Sequence, residues 1–322
     1  MGVGGLLVAS HAGHGGGYHG VLLFFVFAVL FVMYLVKIGF DNVGESDALS
    51  EFNAMFARAV AVVKPVAASP GEKPIVIRTI GVAELKDALT KGFADFMVKP
   101  THLIIICIIY PILGLLLGRL TFGYEILPIL FPFVSGSALI GPLAATGLYE
   151  LQRRREQGLD YSWWHVFDVL RSPSIHSIAA LGVIMALIFF AWLAAAQAIY
   201  TNSFGLWEPA SIGDFLFQIF NTKSGLDLII VGCGVGFIFA VVVMAISVVA
   251  LPMLLDRNVG VVTAILTSIR AVAVNPSIMA LWGIIVTGSL VIGSLPLFMG
   301  LAIVLPVLGH STWHLYRKVV ES

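Results

Sequence analysis

The chain has 322 residues, 59% of them hydrophobic and only 11% charged, with a mean hydropathy of +1.00 and a formal net charge of zero. A soluble domain carries about 25% charged residues, so this composition excludes an ordinary globular enzyme and points to a chain that lives in a bilayer. Zero net charge also removes the basic footprint that nucleic acid requires, and no nucleic-acid partner is expected.

The chain opens on a tail containing His11, His14 and His19 among glycines. Such tracts bind copper or zinc, but ordering a glycine tail costs about 1–2 kcal/mol per residue. A disordered tail or docking strand is therefore the expected use, with a metal site at these three histidines as the alternative. The first basic residue, Lys37, comes only at the end of the first apolar run, Val21–Ile38. That order is the reverse of a cleavable signal peptide, so a retained anchor is expected. Residues 1–40 form the first unit, tail plus anchor. Residues 41–83 form the second: a helical stripe of Leu49, Phe52, Phe56, Val60 and Val63, a linker over Pro65–Pro74, and a short extended stretch at Ile75–Ile80.

Residues 84–322 read as a six-span membrane domain. Crossing the hydrocarbon takes about 20 apolar residues. His102–Gly118, Ile126–Leu148, Ile175–Ala198 and Leu226–Met253 each supply one crossing. Ser277–Tyr316 would reach about 60 Å as one helix at about 1.5 Å per residue, so it must hold two crossings and is predicted to break near Gly293–Pro296. The expectation is an all-α, polytopic protein of about seven transmembrane helices. Of its 18 Lys and Arg residues, only Arg119 and Lys223 fall on one side of this drawing. The excess of basic residues marks the cytoplasmic side, which puts the amino terminus outside and the carboxyl terminus inside.

An amphipathic segment runs into a proline and then a span at three places: Pro100, Pro173 and Pro276. Proline breaks the preceding helix and suits the first turn of the next. Leu85, Leu89, Phe93, Phe96 and Met97 form the apolar stripe of the first copy, and Trp163, Trp164 and Phe167 serve the second. Such helices are expected to lie in the headgroup plane on the cytoplasmic side. A further interfacial helix is predicted outside, at Ile212–Phe220.

No Asp, Glu, Lys or Arg falls near the middle of a span, which argues against a proton- or sodium-coupled transporter. No catalytic constellation is present, so no enzyme is expected. His310 and His314 share a helix face, with His102 and His176 at the same depth. Imidazoles at one level hold a haem or metal, but bonds to headgroups, water or one another are the commoner use. No cofactor is assigned, and a haem or metal at His176, His310 and His314 is the disfavoured alternative. Gly114-x-x-x-Gly118 and Gly232-x-x-x-Gly236 permit close helix packing. Cys107 and Cys233, the only cysteines, form no CxxC pattern. Arg153, Arg154 and Arg155 suit anionic headgroups, each worth about 1 kcal/mol near such a surface. Asp256–Arg257 and Glu150 suit ion pairs that fix helix ends.

The motifs Ile77-Arg78-Thr79-Ile80, Gly141-Pro142-Leu143, Gly147-Leu148-Tyr149-Glu150, Arg153-Arg154-Arg155-Glu156, Leu251-Pro252, Leu255-Asp256-Arg257, Asn275-Pro276 and Gly309–Arg317 together carry a resemblance. From about Ile75 to Tyr316 the chain resembles the uncharacterised bacterial integral-membrane family known as domain of unknown function 2189. The resemblance implies a six-span helical core in a bacterial inner membrane and brings no catalytic residues. The label of cytochrome oxidase subunit given to some members points towards respiratory complexes. The first span and its histidine tail lie outside the family pattern, as an added anchor.

Three functions compete. The first is a non-catalytic accessory or assembly subunit of an inner-membrane complex, respiratory or photosynthetic, with membrane lipids and other membrane subunits as partners. The second is a carrier or channel for lipid-like or small neutral cargo, and the third a haem- or metal-binding membrane protein.

Overall fold

The computed structural model describes residues 75–98, 112, 127–207, 209–296 and 298–321, and every regular element among them is a helix. The expectations placed on Val21–Ile38, His102–Gly118, Leu49–Val63, the three tail histidines and Gly114/Gly118 lie outside the described residues. In chain order the α-helices are α1 (Val82–Val98), α2 (Leu127–Ala144), α3 (Thr146–Glu156), α4 (Ile175–Phe204), α5 (Ile212–Asn221), α6 (Lys223–Ser247), α7 (Ala250–Asp256), α8 (Val261–Val274), α9 (Pro276–Ser294) and α10 (Leu301–Val319). A 3-10 helix, Trp163–Arg171, joins α3 to α4.

Among the described residues, four helical stretches are long and apolar enough to cross a membrane: Leu130–Glu156, Ile175–Phe204, Lys223–Asp256 and Pro276–Ser294. The third has 34 residues, about 51 Å at about 1.5 Å per residue, far more than a hydrocarbon core of about 30 Å. Its two halves have different surroundings. Only 6% of its apolar window is buried, whereas every residue from Ala250 to Leu255 is buried by protein. The described residues therefore leave its first part open, and its end, α7, runs into a protein layer. α10 has the length of a span, but His310, His314, Arg317 and Lys318 fill its second half, so it is not among the four. Seven crossings remain an expectation of the sequence.

The apolar stretch expected to break near Gly293 does so: α9 ends at Ser294 and α10 begins at Leu301. Phe298 takes a positive φ of 65° in the turn. A side chain on Gly300 would lie 2.8 Å from the Gly293 backbone, so the two glycines let the reversal close tightly. The helix expected at Ile212–Phe220 is present as α5, its N-terminus capped by the Ser211 hydroxyl, which accepts from Asp214 N–H at 3.0 Å.

At the other end α1, α7, the end of α8, the start of α9 and the C-terminal half of α10 share a core in which Leu85, Ala88, Met253, Ala271, Met279, Leu315 and Tyr316 are buried together. α3 packs beside it through Leu148 and Leu151 on Phe96. Residues 75–81 run extended beside the carboxyl terminus: Ile77 bridges Val320, Arg78 N–H donates to Val319 O at 2.8 Å, and Glu321 N–H to Val76 O at 3.0 Å. Buried Asn275 clamps this strap. Its Oδ1 accepts from Ile80 N–H at 2.8 Å, and its Nδ2 donates to Arg78 O at 3.1 Å. The Asn275-Pro276 pair thus closes α8, starts α9 and holds a segment almost 200 residues earlier in sequence, with a separation of 195.

One expectation is corrected in detail. The stripe on α1 does not turn as a whole to the headgroups. Leu85, Ala88, Gly92 and Phe96 form a buried face, while Phe93 and Met97 are exposed. α1 packs along α10, because a partner helix can follow a groove that a flat lipid surface cannot fill.

Candidate functional site

The closest approach of α1 to α10 is at Gly92. A Cβ there would lie 2.6 Å from the Ser311 backbone nitrogen, so only glycine lets the two backbones meet. This contact carries Asp95, one turn further on, into a polar junction between α1, α3 and α10. Its side chain is 12% exposed. Asp95 Oδ2 accepts from His314 Nε2 at 2.6 Å and from Gln152 Nε2 at 2.6 Å, and Oδ1 pairs with the Arg155 guanidinium. Burial alone would raise the Asp95 carboxyl, but the His314 hydrogen bond and the charges of His314 and Arg155 outweigh it and hold the group below its ordinary value.

The Asp95 carboxylate can only accept, so the proton on its contact with His314 belongs to the imidazole Nε2. Gln152 Nε2 then lies 3.3 Å from another donor, and three donors compete for one carboxylate. Beside it three buried polar atoms have no hydrogen-bond partner among the described residues: Gln152 Oε1, His310 Nδ1 and Ser311 Oγ. Most buried polar atoms are paired, and a group of exceptions marks a place where water, a proton or a ligand belongs. This junction is the candidate site.

A second network locks the ends of α3, α7 and α10. Arg317 forks onto Asp256, with Nη1 to Oδ2 at 2.8 Å and Nη2 to Oδ1 at 2.7 Å, and reaches Glu156 Oε2 at 2.9 Å. Trp313 Nε1 donates to Glu156 Oε1 at 2.8 Å and Tyr316 OH to Asp256 Oδ2 at 2.6 Å. The guanidinium also lies over the Trp313 ring, 4.9 Å from its centroid. Lys318 of α10 and Lys91 of α1 hold the Asp87 carboxyl down at about 2.

Each of the three adjacent arginines has an acidic partner inside the chain. Arg153 chelates Glu150 through Nε and Nη2, both at 2.7 Å; Arg154 reaches Asp168 at 3.1 Å; Arg155 takes Asp95. Trp163 and Trp164 stack with centroids 3.5 Å apart. His310 and His314 sit side by side at the junction, one buried and the other bonded, whereas His176 is exposed in the first turn of α4. Among the described residues no group of three His, Cys, Asp or Glu is arranged to hold a metal ion. Gly236 packs on Trp192, where a Cβ would lie 3.1 Å from the indole, but a Cβ on Gly232 would meet nothing.

Reading the sequence passed over Asp95, Gln152 and Ser311. Gly92 inside an otherwise amphipathic helix was the available signal, since glycine there costs helix stability unless something approaches closely.

Apolar helices of membrane-crossing length, joined to a layer in which most of the buried charges are paired with one another, define a polytopic helical integral membrane protein. Residues 130–256, from α2 to the end of α7, match the family model described as predicted integral membrane protein (DUF2189). The motifs at Ile77–Ile80 and Gly309–Arg317 lie outside that match. No curated protein and no solved structure matches the chain.

Proposed function

We propose that the chain is a non-catalytic accessory or assembly subunit of a larger membrane complex, with electron-transfer complexes the first to test. The observation that supports this reading is the outer face of α6. Among the described residues a side chain on Gly232 or Gly234 would meet no neighbour, and Cys233 between them is exposed. Glycine costs a helix about 1 kcal/mol relative to alanine, and in lipid a small-residue face gains from close contact with another helix. Among the described residues Gly232 and Gly234 receive no such contact, and a helix of another subunit would fit there.

Isolation in mild detergent, followed by mass spectrometry of proteins in fixed ratio, tests this. A partner that also cross-links through Cys233 in a Cys107→Ser background supports it. A clean, partner-free protein with an unreactive Cys233 face sinks it.

One observation favours a second reading, a carrier for lipid-like cargo. Ile184, Leu187, Ile188, Ala191, Ile238, Phe239 and Val242 line a wholly apolar groove of about 390 Å³ between α4 and α6. Uptake of a labelled fatty acid by vesicles holding this chain alone would move that reading ahead.

A further inference from the structure

The 3-10 helix Trp163–Arg171 has nine residues, longer than the single turn such helices usually make. With three residues per turn, positions three apart eclipse one another and the helix becomes a three-sided prism. Its first side faces protein: Val166 packs on Gly147, and Val169 is buried in the core. The second side is a charged ladder, with His165 Nδ1 on Asp168 Oδ2 at 2.7 Å and Arg171 3.6 Å from Asp168 Oδ1. That ladder joins i to i+3 twice, in one straight row along a 3-10 helix, whereas on an α-helix the row would drift around the axis. The third side is Trp164, Phe167 and Leu170, at 62%, 57% and 68% exposure. Three large apolar side chains in a straight ridge have no cover among the described residues.

The place of this ridge indicates what covers it. Arg171 is four residues from the first residue of α4, a membrane-length helix whose Val183, Leu187 and Phe190 are also exposed. The ridge therefore continues a lipid-facing surface at the point where the span begins. Arg171 is 87% exposed, and Asp168, its nearest carboxylate, is already bonded to Arg154 and His165. A cation held at the rim of an apolar ridge complements a phosphate above acyl chains. Trp163 stacks behind Trp164 and braces it.

We infer that this prism is an interface key: Trp164, Phe167 and Leu170 sink into the acyl boundary of a phospholipid leaflet while Arg171 takes a lipid phosphate. It fixes the depth at which α4 enters and ties the charged layer to the membrane surface. Trp163, although adjacent to Trp164, contacts protein rather than lipid in this role.

Spin labels on single cysteines from Trp163→Cys to Arg171→Cys, in a Cys107→Ser/Cys233→Ser background, test it in phosphatidylcholine–phosphatidylglycerol vesicles. Collisions with oxygen should exceed those with a water-soluble nickel chelate at positions 164, 167 and 170, and the ratio should invert at 165, 168 and 171. Nickel collisions dominating along the ridge would overturn the inference. So would low collision rates with both reagents there, which would mean that protein covers it. Where a cysteine prevents folding, brominated lipid supplies a second readout: Trp164→Phe should remove a quenched component of the fluorescence that Trp163→Phe leaves in place. Arg171→Gln should lower the oxygen-to-nickel ratio at position 167, and an unchanged ratio would overturn the role of the phosphate.

Discussion

His314 Nε2 lies 2.6 Å from Asp95 Oδ2, joining residues 219 positions apart. This bond is the centre of the contact that fastens α1 to α10, and it brings Gln152 and Arg155 of α3 to the same carboxylate. A helix from one end of the described chain is thereby locked to the helix at the other.

Asp95→Asn should loosen that lock. The replacement leaves Arg155 without its carboxylate and weakens the His314 bond, and hydrogen bonds to charged groups contribute about 1.5–3 kcal/mol. Thermal unfolding in detergent should show a loss in that range, with early proteolysis at α1. Asp87→Asn, at a more exposed pair (39% exposed side chain), should cost about 1 kcal/mol or less. Equal losses at both positions would remove the special role of the junction.

Gly92→Ala should destabilise although alanine favours helix. The new Cβ meets the Ser311 backbone, which cannot retreat as a side chain would, and overpacking of this kind costs about 1–3 kcal/mol. Gly232→Ala makes the contrast: its Cβ enters open space, so the isolated chain should keep or gain stability. If α6 docks a partner helix, the same change should weaken co-purification. Unfolding temperature and partner recovery, measured on both variants, separate the two effects.

The ladder of the 3-10 helix should respond to pH. His165 Nδ1 faces Asp168 at 2.7 Å and Nε2 faces Asp160 at 3.0 Å, an arrangement that favours the charged imidazole, in which both ring nitrogens donate. Hydrogen bonds to Asp168 and then Asp160 raise the His165 pKa, and that to His165 lowers both carboxyls. A raised histidine contributes stability that is complete below its unfolded value of about 6.5 and is lost as pH rises through the folded value. The carboxyls contribute stability that is complete above about 3.9 and is lost as pH falls through their lowered values. The ladder should therefore be complete between about pH 4 and pH 6.5. Protection of the 157–172 segment from protease should decline above that window, and His165→Gln should flatten the decline.

Arg317→Lys should cost stability while keeping the charge. One ammonium cannot fork onto Asp256 and also hold Glu156 and stack on Trp313. A loss of about 1.5–3 kcal/mol is expected from the charged bonds forfeited, read as a lowered unfolding midpoint. No change would mean that the end of α10 is held by its apolar contacts alone.

Much of the fold was legible because it depends on local pattern. Apolar run length marked α2, α4, α6 and α9, and proline and glycine marked the start of α9 at Pro276 and the reversal after Ser294. The junction was not legible. Asp95 sits among the polar residues of an amphipathic helix, and nothing within that helix distinguishes a carboxylate facing water from one facing α3 and α10. The same holds for Trp163 and Trp164, which periodicity alone puts in one class until the 3-10 phase separates them.

What the sequence by itself determined is that this chain belongs in a membrane, with helical rods and one charged end. Transfer free energy sums over consecutive residues, so a run of apolar side chains is sufficient to decide it. Only the tertiary structure decided which charges meet. The carboxylates at 95, 150, 156, 168 and 256 find cations according to helix phase and crossing geometry. Those depend on close contacts such as Gly92 against Ser311, which bring distant segments within hydrogen-bond reach.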